Sequence, residues 1–228
     1  DLEHDGQGAP LAPIYHRNLM EKYNFELPSI FLNIGGITNL TYWDGKELIG
    51  FDTGPGNCLM DDYIKKRTNT FFDKDGLIAS KGISCEKTIK KFMEDSYFKT
   101  PPPKSLDRSY FNNFLLTMLK NNLSVENSMN TLAEITISSI SKSLSFLPKQ
   151  TKSVFIAGGG FHNNYLNLRL RQLFNKNIIN NDFTDIDVDF IESELIAFLA
   201  ARSLYKLPIT YPNTTGVKTA LLGGKIVS

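Results

Sequence analysis

A chain of 228 residues is long enough to bury one large core, so a single large domain without disulfides or structural metals is the first expectation. Its 25 Lys and Arg residues nearly balance 24 Asp and Glu residues, which argues against a protein that grips nucleic acid non-specifically. The two cysteines, Cys58 and Cys85, form no zinc-ligand or disulfide pattern, which favours a reducing cytoplasm, and no apolar run reaches the ~18 residues needed to cross a bilayer.

The first part of the chain predicts one helix and three short strands. Helical spacing of apolar residues runs from about Leu11 to Tyr23. Three apolar runs follow that are short and bounded by turn residues, as is typical of strands. Asp44-Gly45 between the second and third runs is a strong hairpin signal, so we expect an antiparallel meander. The predicted strands are Ser29–Ile34, Leu40–Trp43 and Glu47–Phe51.

The rest of the chain alternates helices with one further strand. Helical spacing from about Ser84 to Phe146 is interrupted once, at Thr100–Pro103, where prolines exclude a regular helix. The run Lys152–Ala157 is typical of a fully buried strand, and the tail Pro208–Ser228 is expected to be extended. This alternation predicts an α/β layered domain. The remaining predicted helices begin at Cys58, Asn164 and Glu192 and end at about Lys66, Phe174 and Tyr205.

Three glycine-rich segments each follow a predicted strand. A glycine turn that leads from a strand into a helix leaves backbone N–H groups free to bind phosphate. Any one of these segments could equally serve only to close a tight turn, since glycine tolerates positive φ. None has the ending of a Walker loop or the spacing of a dinucleotide fingerprint, which argues against both of those folds. The segments are Asn33–Gly36, Asp52–Asn57 and Ala157–Gly160.

Asp52 is the carboxylate at the mouth of the second glycine segment. At the end of a strand it would project into the same cleft as the loop N–H groups, where a general base for phosphoryl transfer belongs. Asp is also a frequent cap of the turn or helix that follows it. The spacing alone supports both interpretations equally.

Motifs along essentially the whole chain match one known family in the order that the family has them. They are Gly6–Leu11, Asn33–Leu40, Phe51–Asn57, Asp73–Gly76, Pro102–Ser105 with Arg108, Phe111 and Asn112, Gly158–Gly160 with Asn163, Glu192 with Ala197 and Arg202, and Asn213–Gly216. Through these motifs the sequence resembles the anhydro-N-acetylmuramic acid kinases, sugar kinases of the actin-like ATPase superfamily. Jointly the motifs are specific.

The resemblance implies an α/β, ribonuclease H-like, actin-like ATPase lobe with a mixed sheet that begins with the antiparallel three-strand meander and is flanked by helices. ATP would bind between two lobes. Residues 1–28 are expected to be the end of the first lobe and the interlobe segment, and residues 29–228 the C-terminal lobe with a helical insertion at about 84–146. The family's first phosphate loop, a Gly-Thr-Ser-x-Asp-Gly segment, is absent here. The chain is therefore expected to be a fragment with half an active site, inactive on its own.

The reaction that the resemblance implies uses ATP and Mg²⁺ to open the anhydro ring of 1,6-anhydro-N-acetylmuramic acid, a small-molecule amino sugar from the cell wall. Asp52 matches the family's catalytic base, which activates water for attack on the anomeric carbon while O6 takes the γ-phosphoryl group. The product is N-acetylmuramic acid 6-phosphate. Glu192 matches an acidic position that supports the base or the sugar, although a carboxylate there could also simply satisfy the helix dipole. A cytoplasmic homodimer without nucleic-acid or membrane partners is expected.

The resemblance also assigns binding residues. No side chain is expected to bind a metal directly. Lys104 and Arg108 could meet the lactyl carboxylate of the sugar, but a surface or structural role is preferred. Nucleotide binding is assigned to Asn33, Gly35, Gly36, Asn39, Gly158, Gly159, Gly160 and Asn163, and sugar binding to Gln7, Gly54, Gly56 and Asn57.

One departure from the family pattern concerns Asp5, which stands where the family has the first glycine of Gly-Gly-Gln-Gly. A left-handed backbone there would be strained, although Asp tolerates it better than most residues.

Two alternative functions remain open from the sequence. The protein could be another carbohydrate kinase of the same superfamily, which substrate profiling would reveal. It could also be a non-catalytic, nucleotide-binding actin-like module, in which case replacement of Asp52 by Asn would leave its cellular activity unchanged.

Overall fold

The computed structural model describes residues 1–179 and 184–225. Its described strands form one four-stranded sheet in the order β3-β2-β1-β4. The first three strands are antiparallel neighbours, and β4 lies parallel to β1. The predicted mixed sheet with its opening meander is thereby confirmed. The strands are β1 (Ser29–Ile34), β2 (Ile37–Trp43), β3 (Leu48–Pro55) and β4 (Ser153–Ala157).

The predicted helices are present with ends that differ by a few residues. The helical region 84–146 divides into three α-helices, with short 3₁₀ turns between the first two and after the third. The tail is not wholly extended, because a one-turn helix forms within it and ends at Gly216, whose φ is 86°. The α-helices are α1 (Pro13–Lys22), α2 (Cys58–Arg67), α3 (Glu86–Met93), α4 (Asn112–Leu119), α5 (Val125–Ser143), α6 (Asn164–Phe174), α7 (Ile191–Leu204) and α8 (Pro212–Thr215).

The sheet is covered on both faces, which explains why its strands read as continuous apolar runs. Alternate residues of β1 point to opposite faces. Ile30 and Leu32 belong to the larger core, to which α2, α5 and α6 contribute. Phe31 belongs to a second core with residues of α1 and α7. Among the described helices, none has both the length and the apolar character that a bilayer-spanning helix requires.

Local sequence signals define where the helices on the larger core begin. The Ser124 hydroxyl accepts a hydrogen bond from the Asn127 N–H at 3.1 Å and so caps α5. The Asn163 side chain accepts from the Leu166 N–H at 3.0 Å and caps α6. Both caps satisfy N–H groups that a helix leaves unpaired in its first turn.

The second core depends on Phe155 of β4. Its ring is fully buried and lies 4.9 Å from the ring of Phe31 and 5.8 Å from that of Phe25, measured between centroids. Phe155→Ala should lower the free energy of unfolding by about 3–5 kcal/mol, because it removes buried apolar surface and leaves a cavity. Urea denaturation measures this loss. Phe71→Ala is the matched control, since Phe71 is 70% exposed and its loss should change stability by less than about 0.5 kcal/mol.

Candidate functional site

Three polar side chains form a row across one end of the sheet. Asn33 of β1 lies opposite Asn39 of β2, and Asn39 lies opposite Asp52 of β3. Residues directly opposite each other project from the same face, so the three side chains are neighbours although the chain separates them by up to 19 positions. The carboxyl ends of the parallel strands β1 and β4 lie at this end of the sheet. Ligands bind beside the carboxyl ends of the strands in open α/β sheets.

A β-bulge follows Asp52 directly. The pairing of β2 with β3 shifts between Thr38 and Asn39, so that Thr53 is left without a partner in the ladder. The Thr53 hydroxyl instead donates to the Thr38 carbonyl at 3.3 Å. Bulges bend a strand and change the direction of neighbouring side chains. The sequence carried no signal for this bulge.

The first two glycine segments pack on each other through their backbones. The Gly56 N–H donates to the Gly36 carbonyl at 2.9 Å, and the Asn57 N–H donates to the Gly35 carbonyl at 2.8 Å. A Cβ atom on Gly56 would lie 2.3 Å from the Gly35 oxygen, closer than any side chain tolerates. Gly54 likewise has no room for a side chain, because its Cβ would lie 2.7 Å from the Cβ of Ser139 on α5. Packing alone therefore accounts for Gly54 and Gly56.

The third glycine segment approaches the end of β1. Gly158 has a φ of 78°, and a Cβ there would lie 2.4 Å from the Asn33 side-chain oxygen. A Cβ on Gly160 would lie 2.4 Å from Cγ2 of Ile34. Gly159 differs from both, because its nearest neighbour would be the Asn57 amide nitrogen at 3.4 Å, an ordinary contact distance. Gly159 thus has free space beside it.

That space belongs to a cavity of about 540 Å³. Asn57 from the second glycine segment and Gly159 and Asn163 from the third all line it. Asn163 faces it while its side-chain oxygen caps α6. The remaining lining residues are Met60, Asp61, Phe72, Asp73, Lys74, Asp75 and His162.

Asp61 and His162 are polar lining residues that the sequence reasoning missed. Asp61 follows Asn57 by four positions on α2, and that helical spacing places both on one face and could have identified it. Burial raises the pKa of Asp61 to about 6, and the neighbouring Arg108 guanidinium partly offsets that rise. The His162 ring nitrogen Nε2 lies 2.8 Å from the Asp189 carboxylate.

The Asp52 carboxylate is buried, with 8% of the residue exposed. Its Oδ2 accepts a hydrogen bond from the Leu106 N–H at 2.8 Å, and no other donor among the described residues contacts it. Burial raises the pKa of Asp52 to about 6, and the Leu106 hydrogen bond offsets part of the rise. The carboxylate does not cap the turn that follows it, so the capping interpretation does not hold.

Gln7 is held by the same segment that binds Asp52. The Gln7 Nε2 donates to the Pro103 carbonyl at 3.1 Å, and its Oε1 accepts from the Ser105 hydroxyl at 2.9 Å. Residues 103–106, which we call the strap, therefore contact both predicted site residues. Ser105 and Leu106 were not predicted as site residues, although Pro102–Ser105 was among the matching motifs.

Lys104 lies in the strap and is buried, with 4% of the residue exposed. The expectation of a solvated basic surface is wrong for this residue, whereas a structural role fits. Arg108 does lie on the surface, where its guanidinium forms an ion pair with Asp62 at 2.8 Å.

Glu192 lies in the first turn of α7 and is exposed. Among the described residues it has no hydrogen-bond partner, and no contact joins it to Asp52. The neighbouring Glu194 accepts a hydrogen bond from the Tyr15 hydroxyl and so ties α7 to α1. At the other end of the chain, Asp5 adopts the left-handed conformation, with a φ of 63°.

Two further observations concern ligands. The Asn39 side-chain oxygen is buried without a hydrogen-bond partner in the described part of the chain. Such an atom needs an explanation, because native structures satisfy most buried polar groups. Residues 1–179 and 184–225 contain no group of three or more His, Cys, Asp or Glu side chains that could hold a metal ion.

The raised pKa of Asp52 predicts a pH-dependent effect on stability. Its pKa is higher in the folded state than the ordinary 3.8, so ionisation destabilises the fold as pH rises from about 4 through about 6. Asp52→Asn should therefore be more stable than wild type at pH 8, by up to about 3 kcal/mol, and equally stable at pH 3. Urea denaturation at both pH values tests this. Glu86→Gln, at an exposed carboxylate, should show no such difference between the two pH values.

Comparison with known proteins places these motifs in a family. The family described as anhydro-N-acetylmuramic acid kinase matches residues 1–228. Among curated relatives, the anhydro-N-acetylmuramic acid kinase of Agrobacterium fabrum is 40% identical over 100% of this chain and 61% of its own length. That of Methylorubrum extorquens is 38% identical over 98% of this chain and 59% of its own length. That of Zymomonas mobilis is also 38% identical, over 99% of this chain and 61% of its own length. The chain thus spans about three-fifths of the length of these relatives.

One solved structure that the comparison found is the activator of the 2-hydroxyisocaproyl-CoA dehydratase from Clostridium difficile with bound ADPNP. It matches with a TM-score of 0.48 and 15% identity, over 80% of this chain and 64% of that one.

The sequence matches do not support the narrower expectation that the chain is the C-terminal lobe. They do cover every motif that carried the resemblance, from Gly6–Leu11 to Asn213–Gly216, in one continuous match over residues 1–228. Identity of 34–40% with the curated relatives accompanies that match. On these grounds the chain belongs to the anhydro-N-acetylmuramic acid kinase family.

Proposed function

We propose that the full-length protein is an ATP-dependent sugar kinase that opens 1,6-anhydro-N-acetylmuramic acid and phosphorylates its O6. The observation that carries the proposal is the buried carboxylate of Asp52, which lies in one row with Asn33 and Asn39 at the edge where three glycine segments meet. Family membership supports the same reaction.

The cavity beside Gly159 suits the nucleoside part of ATP. The free space at Gly159 is a gap that a Cβ would fill, and its walls combine apolar and hydrogen-bonding groups. α6 begins beside the third glycine segment, so the N–H groups of that segment and the helix dipole favour an anion such as a phosphate. Asn33, Gly35, Gly36 and Asn39 would then border the phosphates.

Mg²⁺ in phosphoryl transfer is held largely by phosphate oxygens and water, with only one or two protein oxygens. The orphaned Asn39 side-chain oxygen in the row could accept a hydrogen bond from water bound to the ion. The ion would neutralise charge on the phosphates.

Asp52 would act as the general base. A pKa of about 6 leaves its carboxylate ionised at neutral pH yet basic enough to accept a proton, which is the range that favours proton transfer. In the proposed reaction a water oxygen bonds to the anomeric carbon and gives its proton to Asp52. The bond from the anomeric carbon to O6 breaks, and O6 takes the γ-phosphoryl group as ADP leaves.

The sugar would bind between Asp52 and Gln7, since the strap holds both side chains. Gln7 keeps unused hydrogen-bonding capacity, because its Nε2 carries a second hydrogen and its Oε1 a second lone pair. Gly54 and Gly56 would border the sugar through their backbones, and Asn57 would lie between the sugar and the nucleoside cavity that it lines. Glu192 would support the sugar or the base from α7.

A cytoplasmic homodimer is part of the proposal, and sedimentation of the full-length protein tests the dimer.

Product analysis tests the reaction itself. The full-length protein is incubated with ATP, Mg²⁺ and the anhydro sugar in ¹⁸O-labelled water. One ¹⁸O atom should appear at the anomeric position, with none in the phosphate. Phosphorylation of N-acetylmuramic acid or N-acetylglucosamine but not the anhydro sugar would contradict the proposal and identify a different sugar kinase.

Replacement of the base should abolish turnover without loss of nucleotide binding. Asp52→Asn should lower kcat by about 10²–10⁴-fold, because it removes the proton acceptor. ATP affinity, measured by calorimetry, should stay within about threefold of wild type. Glu86→Gln, an exposed carboxylate in α3, should leave kcat unchanged. An Asp52→Asn variant with wild-type kcat would exclude the base role.

Filling the space beside Gly159 should weaken ATP binding. Gly159→Val should raise the Kd for ATP at least about tenfold, equivalent to about 1.4 kcal/mol, because its side chain would occupy the cavity. The Tm without ligand should change little, since a Cβ at this position meets no atom closer than 3.4 Å. Unchanged ATP affinity in a folded variant would mean that the nucleoside binds elsewhere.

A further inference from the structure

We propose that Lys104 is a positioning residue for Asp52 and acts through a closed ring of hydrogen bonds that includes Tyr97. The inference rests on the proposed function, in which Asp52 is the base. Lys104 is buried, with 4% of the residue exposed, so its effect would reach the reaction through the geometry of Asp52.

The ring holds both polar groups of the Asp52 main chain. The Asp52 N–H donates to the Lys104 carbonyl at 3.0 Å. The Tyr97 hydroxyl donates to the Asp52 carbonyl at 2.5 Å. The Lys104 Nζ closes the ring by donating to the Tyr97 carbonyl at 2.9 Å. Each of the three residues is therefore bonded to the other two.

The side chain of Asp52 depends on the same segment. Leu106, whose N–H binds the carboxylate, lies two residues after Lys104 in the strap. A displacement of Lys104 therefore changes the hydrogen bond from the Leu106 N–H that orients the Asp52 carboxylate. The flanking residues Pro103 and Ser105 bind Gln7, so the strap relates the base to a proposed sugar-binding residue.

The aromatic surroundings of Lys104 are suited to a cation. Its Nζ lies 4.4 Å from the ring centroid of Tyr97, 4.7 Å from that of Phe146 and 5.8 Å from that of Phe51. Cation–π attraction and the Tyr97 carbonyl partly offset the unfavourable burial of the charge. Burial, with a smaller effect of the Lys142 ammonium on α5, lowers the pKa of Lys104 to about 8, which leaves it mostly charged at neutral pH.

A lysine is not needed here for packing alone, because methionine has a similar length and no charge to bury. What lysine adds is a donor that fixes the Tyr97 carbonyl and a charge that attracts three rings. Tyr97 in turn orients its hydroxyl toward Asp52. Loss of Nζ is therefore expected to make the position of the Asp52 carboxylate less defined. It should not alter the nucleotide cavity, whose lining does not include the strap.

The experiment compares Lys104→Met, Tyr97→Phe and the double variant in the full-length protein. Each single variant should lower kcat about tenfold, with the KM for ATP within about twofold of wild type. The double variant should lose little more than the stronger single variant, because both break the same ring. Lys99→Met is the matched control, since Lys99 is exposed in the turn that contains Tyr97, and its kcat should equal that of wild type.

A second measurement needs no turnover. Titration of the Asp52 carboxyl by ¹³C NMR should show a higher pKa in Lys104→Met than in wild type, because the Leu106 hydrogen bond that lowers this pKa is weakened. Lys99→Met should titrate like wild type. If Lys104 had a purely structural role, Lys104→Met would lower the Tm but leave the pKa of Asp52 unchanged. If Lys104→Met does not fold, Tyr97→Phe alone applies the same two tests.

Several results would overturn the inference. One is a single variant that keeps both the wild-type kcat and the wild-type pKa of Asp52. Another is a double variant whose loss of kcat equals the full combination of the losses in the two single variants. A wild-type protein that does not phosphorylate the anhydro sugar would instead overturn the proposed function, and the Asp52 titration would still decide whether the ring positions that carboxylate.

Discussion

The close approach of three backbone segments at one end of the sheet is the constraint on which the candidate site depends. Gly56 lies against the Gly35 carbonyl, and Gly158 lies against the Asn33 side chain and the Ile34 carbonyl, each at a distance that excludes a Cβ atom. Side chains at these positions would force the loops apart. Where the loops meet, Asn57 of the second glycine segment and Gly159 of the third line one cavity.

The pKa of Asp52 reflects two opposing effects. Burial disfavours its charged form, and a single hydrogen bond from Leu106 compensates only in part. Further donors would lower the pKa of this carboxylate, whereas a carboxylate with no donor would have no hydrogen bond to orient it. Groups whose pKa is shifted by burial are frequent at functional sites, and the position of Asp52 at the edge of the parallel strands agrees with that pattern.

Among the glycines of the matching motifs, the structure distinguishes those that packing explains from one that has free space beside it. Gly54, Gly56, Gly158 and Gly160 are all explained by contacts within the protein, whereas Gly159 has space beside it. The two basic residues after the prolines also differ from each other, because Lys104 is buried and Arg108 is at the surface. Motif residues therefore cannot be treated as one class, because the same segment supplies both a scaffold and the surface that a ligand would contact.

Residues Ser29–Ile34 and Asp44-Gly45 were sufficient to predict the meander, since a buried apolar run and a hairpin turn are local signals that tertiary contacts did not override. Spacing placed Asp52 at the end of its strand, but the structure continues β3 past Asp52 to Pro55. The matching motifs indicated the family. Only the tertiary structure determined the bulge at Thr53, the burial of Lys104 and the exposure of Glu192. These features depend on contacts between residues far apart in the chain, such as Asp52 with Leu106 and Tyr97, and no local pattern of residue types records such contacts.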